Sequence, residues 1–543
     1  MSLSIRAVSL IVFAALQGGF RMKLTDQGIS RRGLFGATAG LAAIAGAGIP
    51  DLVLAEATAP AATDTPPPAS VGAAEAAVAK HSDTILRISR EVWDLAELSL
   101  EEVKSAKVHL RELEAAGFRT VSTGTSGFPT AFVSEWTQGS GGPIIGYLPE
   151  YDALPDLGNA AEPRQTPAPS GNANGHGCGH NSLGAGCTGA AIALKTMMKS
   201  SGTPGTIRVY GCAAEETEGV KVYMARDGLF DDLDAALAWH PAPIAATGEV
   251  MTAAIAQSKV AFHGRTAHAG NSPWDGRSAL KAAELFGTGI QFMREHLPQT
   301  VRLHYIYENA GVAPNIVPDF AQLWMTVRGK DRKEVEDVVA WTRQVAEGAA
   351  LMTQTTSEYL LFHGMLDLLP NGPMIALAQA HMQARPPVWT AAEQAFAKGC
   401  QKEMGLPETG MATGVLPAFG AVRVGGGTDV GDVSWITPVG IFGWPSFGLG
   451  TSLHTWGVTA CGGMSIGDRA SLDSARILAG MGFDLMTDGD LRAAAKADLQ
   501  ARRGGVAYAP ILPADRTTPL RLPSWLHKAP GEEYVSLETT DAP

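Results

Sequence analysis

Cysteine is scarce. The chain has five in 543 residues: Cys178, Cys187, Cys212, Cys400 and Cys461. They are scattered and odd in number, which excludes a disulfide framework and leaves the fold to rest on a core. Charge is also sparse, at 18% of residues, with a formal net charge of -12 and no long basic stripe. That excludes nucleic acid as the main partner, because phosphate binding needs clustered Lys and Arg. No run is long and apolar enough for a stable membrane span. Hydrophobic residues make up 45% of the chain. That composition supports a globular protein of two to four units at roughly 150 residues each.

The N-terminus reads as an address. Ser30-Arg31-Arg32-Gly33-Leu34-Phe35 precedes a mild Ala- and Gly-rich run that ends at Ala55-Glu56-Ala57. Paired arginines, a weak apolar stretch and a small-x-small end resemble a twin-arginine export signal. Residues 1–57 are therefore expected to direct export to the periplasm. The stretch Ala7 to Leu16 does not fit such a signal, and Met22 is the better native start. Residues 58–77 form a linker, rich in Pro, Ala and Thr over 58–72.

The rest reads as α/β. A helical pattern covers Val71 to Gly117, with capping-box spacing at Ser99-Leu100-Glu101-Glu102. Strand-like runs follow at 131–136 and 143–148, a helix at 183–198, strands at 206–212 and 234–240, and a short helix at 220–227. Strands alternating with helices predict a mixed, largely parallel sheet flanked by helices. Near residue 254 the order becomes β-α-β-β-α, which predicts an inserted, ferredoxin-like α+β domain. The expected division is a larger α/β domain over 78–253 and 367–505, an inserted α+β domain over 254–366, and a Pro-rich tail over 506–543.

Donor residues stand out against this background. Gly-His-Gly-Cys-Gly-His at 175–180 sets Cys178 and His180 two apart among glycines, where a tight turn can aim both at one cation. His176 is a third donor or a support for one. Glu215 and Glu216 follow a strand directly, where open α/β sheets place their sites. Asp152 also follows an apolar run and suits a role orienting a ligand. His240 closes the strand at 234–240, and His454 lies in a Gly-flanked segment. The inserted domain adds His268, Asn315 and Arg328, types that stabilise an oxyanion or hold a carboxylate.

Together these residues resemble the co-catalytic metallopeptidase family of aminoacylases, glutamate carboxypeptidases and auxin-conjugate amidohydrolases. The resemblance runs from about Val78 to Gly505. It implies two divalent metal ions, Zn²⁺ or Mn²⁺, held by Cys178, His180, Glu216, His240 and His454. It implies an amide hydrolase working through a metal-bridged hydroxide, with Glu215 as general base. It gives His268 and Asn315 transition-state roles and Arg328 a substrate carboxylate. It makes 78–253 and 367–505 a catalytic domain and 254–366 a lid or dimerisation domain. It implies a homodimer through that lid, with a second related subunit left open. The implied substrate is a small amide, aminobenzoyl-glutamate-like or another N-acyl amino acid conjugate. A dipeptidase or simple aminoacylase is the alternative, and a non-catalytic binding protein the less favoured one. Two features depart from the family pattern: Asn181 stands where Asp is common, and Gly427-Thr428-Asp429-Val430-Gly431-Asp432 replaces a Gly-Ser-Glu-Asp run. The roles of Asp429 and Asp432 stay open at this level.

Overall fold

Unbroken runs of buried residues mark two of the central strands. Ile145 to Tyr147 and Ala235 to Leu237 are all buried, as strands covered by helices on both faces must be. The computed structural model describes residues 66–516. The expected export signal, residues 58–65 of the expected linker and the tail from 517 lie outside the described residues. The linker expected to run to 77 ends earlier: Val71–Lys80 is a helix that buries Ala74, Ala77 and Val78 in the core.

In chain order the strands are β1 (Arg119–Thr123), β2 (Phe132–Gln138), β3 (Ile144–Tyr147), β4 (Gly205–Gly211), β5 (Ala235–Leu237), β6 (His240–Ala242), β7 (Gly248–Met251), β8 (Ala254–His263), β9 (Arg302–Asn309), β10 (Phe320–Gly329), β11 (Thr356–Met365), β12 (Phe419–Arg423), β13 (Val439–Gly440) and β14 (Gly443–Pro445). The main sheet has the order β1-β2-β4-β3-β5-β13. Its first two pairings are antiparallel and the other three parallel. The helix His180–Ser201 packs against the helices Ser82–Leu95 and Ser465–Thr487. Its small residues permit the approach: a Cβ on Gly189 would come within 2.4 Å of Ile85.

A separate antiparallel sheet has the order β11-β8-β10-β9. Ala321, Leu323, Met325 and Val327 alternate along β10 and share a core with Ala283, Phe286 and Ile290 of the helix Ala279–Arg294. Val335, Val338 and Val339 of the helix Arg332–Thr353 join the same core. The order is β-α-β-β-α-β. Its last strand, β11, escapes a reading by period, because Thr356–Met365 gives way from partly exposed residues to an unbroken buried stretch, Leu361 to Met365, that includes His363.

Two local expectations fail for physical reasons. Ser99 and Glu102 do not make a capping box. Ser99 Oγ donates to Asp152 at 2.8 Å, and Glu102 is a buried carboxyl accepting from Thr130 Oγ1 at 2.8 Å and Ala214 N at 2.7 Å. The helix Val103–Ala115 is capped instead by Glu97, which accepts from Lys104 N and from Ser105 N at 2.8 Å. The strand expected over 234–240 divides into β5 and β6, and the intervening Trp239 is buried with its Nε1 donating to the Leu183 carbonyl at 3.0 Å.

The chain after residue 505 straps the two sheets' cores together. Ile511 enters the core of the antiparallel sheet and Leu512 that of the main sheet. Tyr508 donates to Asp432 Oδ1 at 3.0 Å, while Asp432 Oδ2 accepts from Leu366 N at 2.8 Å, just where β11 ends. Asp432 therefore fixes the return from one sheet to the other. Among the described residues no helix is long and apolar enough to cross a membrane.

Buried histidines make stability depend on pH. Burial lowers His109 to about 3 and His363 to about 4, against about 6.5 in an unfolded chain. Folding excludes the proton from these rings. Their contribution is complete above about pH 6.5 and is lost as pH falls toward the folded values. The melting temperature is expected to fall between about pH 7 and about pH 5, and His109→Gln to make that slope shallower. Identical slopes would remove His109 as a cause.

Candidate active site

The polar residues gather at the carboxyl ends of the parallel strands, where the chain leaves the sheet. β3 leads into Glu150 and Asp152, β4 into Glu215 and Glu216, and β5 into His240 at the start of β6. The loop 175–179 brings Cys178, and His180 opens the long helix that follows it. Of the three glycines in this loop, only Gly179 needs a left-handed conformation, at φ +77°. Gly175 is there for space: a Cβ would meet the Leu157 carbonyl oxygen at 2.2 Å. Two non-glycine residues at the site also carry positive φ, Ala214 at +54° and His454 at +60°. Such backbone costs on the order of 1 kcal/mol or more and persists where surroundings enforce it. Here Glu102 accepts from Ala214 N, and Asp152 Oδ2 accepts from Glu216 N at 2.9 Å. His454 N donates to the Gly177 carbonyl at 2.8 Å, which ties the His454 segment to the glycine loop.

The donors converge. Cys178, His180 and His240 each offer an atom within 4.8 Å of the others; so do Cys178, Glu216 and His454, and so do Glu150, His180 and Glu215. Cys178 Sγ lies 3.4 Å from His240 Nε2, and Glu216 Oε1 lies 3.4 Å from His454 Nε2. Both inner rings are anchored from behind. His180 Nδ1 bonds Asp152 Oδ1 at 2.9 Å, and His240 Nδ1 donates to the Pro241 carbonyl at 2.8 Å. Each ring therefore turns Nε2 inward, the arrangement that fixes the tautomer of a metal-binding histidine. His180 Nε2, Glu150 Oε2 and Glu216 Oε1 are buried without a hydrogen-bond partner. Burying polar atoms in this way is costly unless something binds them. A thiol, imidazoles and carboxylates make a donor set suited to zinc and similar divalent cations.

The carboxyls differ in charge preference. Burial pushes Glu215 well above the usual carboxylate range, and Glu150 and Asp429 add to the shift. Burial also works against Asp152, yet the His180 contact and hydrogen bonds from Glu216 N and Ser99 outweigh it and keep Asp152 low. Glu216 is lowered likewise, with the His454 contact overcoming burial. Burial raises the Cys178 thiol well above its ordinary value, so a cation there would have to displace a proton. One carboxyl is thus poised to carry a proton while its neighbour stays ionised.

Other residues singled out by sequence are not members of these convergent donor groups. His176 is buried, and its Nε2 bonds the Val92 carbonyl at 2.9 Å, bracing the loop against the helix Ser82–Leu95. His268 and Asn315 sit on adjoining, exposed loops of the antiparallel-sheet unit, where Ala269 N donates to the Asn315 carbonyl at 3.0 Å. His268 Nδ1 accepts from Gly270 N at 3.2 Å and Asn271 N at 3.1 Å, which leaves the ring proton on Nε2. Arg328 Nη1 donates to the Gly425 carbonyl at 2.9 Å. Asp429 pairs with Lys221, a residue that its sequence setting does not mark out. Glu150 and Glu102 also escape notice as site residues in the sequence. The available signal for Glu150 is its position after a strand end, the same one that marks Asp152.

Comparison with known proteins agrees with this arrangement. Residues 150–419 match the Peptidase family M20/M25/M40. The chain is 38% identical over 432 residues to a p-aminobenzoyl-glutamate hydrolase subunit of Escherichia coli (strain K12), covering 74% of this chain and 89% of that protein. It is 29% identical over 413 residues to Xaa-Arg dipeptidase of Mus musculus, covering 74% and 85%. In fold it is similar to the aminobenzoyl-glutamate utilization protein from Klebsiella pneumoniae, with a TM-score of 0.52 at 18% identity, covering 76% of this chain and 98% of that one. The donor cluster, the two sheets and these likenesses agree: the chain belongs to the M20/M25/M40 peptidase family and is one of its peptidases or amidohydrolases.

Proposed function

We propose that this enzyme hydrolyses the amide bond of aminobenzoyl-glutamate or a related N-acyl amino acid, using two divalent cations, Zn²⁺ or Mn²⁺. The observation that carries the reading is the set of inward-facing donors around Cys178, with three buried polar atoms left unpartnered. Cys178, His180, Glu216, His240 and His454 would hold the cations. When bound, the cations would supply Lewis acidity and lower the pKa of a coordinated water.

The chain's own groups account for the remaining chemistry. Glu215, whose hold on a proton is strengthened by burial, would take the proton of the attacking water and hand it to the leaving nitrogen. His268 would donate from Nε2 to the developing oxyanion, with the Asn315 amide beside it. Arg328 would hold a substrate carboxylate through its planar fork. His268 and Asn315 hydrogen-bond within their own unit, so movement of that unit, or a second copy of the chain, must deliver them. Exposed apolar residues support a second copy: Phe292 is 72% exposed and Ile306, on the edge strand β9, 59%. The twin-arginine-type sequence supports export, after a thiol donor has acquired its cation in a reducing compartment.

The 29% identity to a protein named Xaa-Arg dipeptidase supports a second reading, with a dipeptide as substrate. Purified protein should bind two equivalents of Zn²⁺ or Mn²⁺ and release glutamate from p-aminobenzoyl-glutamate. Chelation should abolish turnover and either cation restore it. Preferred turnover of dipeptides would favour the second reading, and no turnover across a panel of N-acyl amino acids and dipeptides would overturn both. Sedimentation of the same sample should give a dimer; a monomer would remove the second copy from the proposal.

A further inference from the structure

Glu150 leaves β3 at the carboxyl edge of the sheet and is 3% exposed. Its two oxygens meet different surroundings. Oε1 accepts from Lys221 Nζ at 2.7 Å. Oε2 has no hydrogen-bond partner and lies 3.4 Å from His180 Nε2, the ring nitrogen turned inward by Asp152. It belongs to the same group of convergent donors as His180 and Glu215.

Lys221 is itself fully buried. Its ammonium lies 2.5 Å from Asp429 Oδ1, and its backbone N donates to Asp429 Oδ2 at 3.1 Å. Asp429 precedes the short helix Val430–Ser434. Lys221 is thus held by side chain and backbone against one carboxylate and points its remaining capacity at Glu150. A buried carboxyl oxygen beside an inward-turned imidazole nitrogen, with no hydrogen-bond partner of its own, is poorly satisfied unless a cation sits there.

We propose that Glu150 is a further carboxylate donor of the cation site, beside His180, and that Lys221 is the residue that positions it. The inference rests on the reading that the cluster holds divalent cations. It assigns Lys221 no contact with substrate. It differs from a structural ion pair in one respect: the effect of losing Lys221 must pass through Glu150.

The test is cation binding. Cation-free protein is titrated with Zn²⁺ against a chromophoric chelator, and with Co²⁺ followed by visible absorption. Glu150→Gln can still accept from Lys221 and should keep the fold, as read by thermal unfolding. It should weaken one of two equivalents by about tenfold or more and alter the Co²⁺ bands of that equivalent. Lys221→Met should weaken the same equivalent, and the double variant should match Glu150→Gln alone. If Lys221→Met does not fold, Lys221→Arg keeps the charge but moves the donor and should weaken the same equivalent. Wild-type affinity for both equivalents in Glu150→Gln would overturn the donor role. Losses that multiply in the double variant, or an unaffected Lys221→Arg, would overturn the positioning role. A wild-type protein that binds two equivalents yet cleaves no amide would overturn the proposed function and leave Glu150 to be judged by its own variant.

Discussion

Glu215→Gln is expected to lower kcat by about 10²–10⁴-fold, the range for removing a positioned general base, while both cations stay bound. The geometry makes this a clean substitution. Glu215 follows β4 after the strained Ala214, whose backbone N is held by Glu102. The amide of glutamine fits the same space and keeps a polar group beside Glu150 and His180. What it cannot do is carry a proton from water to a leaving nitrogen. Glu216 is a poor replacement, because its contact with His454 lowers its hold on a proton. Metal analysis and steady-state kinetics on one preparation check the expectation. Substantial turnover with full metal content would remove Glu215 from the base role, and loss of metal would make it a ligand instead.

Cys178→Ser is expected to weaken cation binding more than any supporting substitution, beyond the about 10–100-fold cost of losing an outer partner. Cys178 belongs to two of the three convergent groups, one with His180 and His240 and one with Glu216 and His454. Its loss therefore touches both sides of the cluster, whereas His240 or His454 touches one. Serine is close in size, so packing around this buried position should survive. Its hydroxyl is a poor substitute for a thiolate toward zinc. Equilibrium dialysis followed by metal analysis measures the effect. Undiminished binding of both equivalents would show that Cys178 is not a donor.

The fold class was legible because its signals are repetitive. Apolar runs such as Ala235 to Trp239 and a helix of small residues behind Cys178 each point to buried parallel strands and close packing. The antiparallel unit was legible from its change of order near residue 254, but β11 was not, since its burial pattern comes from tertiary contact. At the site, residues of unusual type were visible: cysteine and histidine among glycines, and a doubled glutamate after a strand. Glu150, Lys221 and Glu102 were hidden for the opposite reason. Each is an ordinary charged residue whose meaning depends on burial and on a partner far along the chain, such as Asp429 for Lys221. Ser99 misled because its hydroxyl serves Asp152 across the fold rather than the nearby helix.

The strap of Tyr508, Ile511 and Leu512 sets the order in which this protein can finish folding. Both sheets are complete in sequence before residue 506, yet the clamp on Asp432 and the last side chain of each core arrive after it. Contacts so distant in sequence form late, because loop closure must come first. During synthesis, a chain still tethered short of Tyr508 would carry both sheets and every donor of the cluster with the junction between them unlatched. Folding of the described chain therefore closes on a joint one helical turn from Asp429, and cleavage of the strap would free that joint.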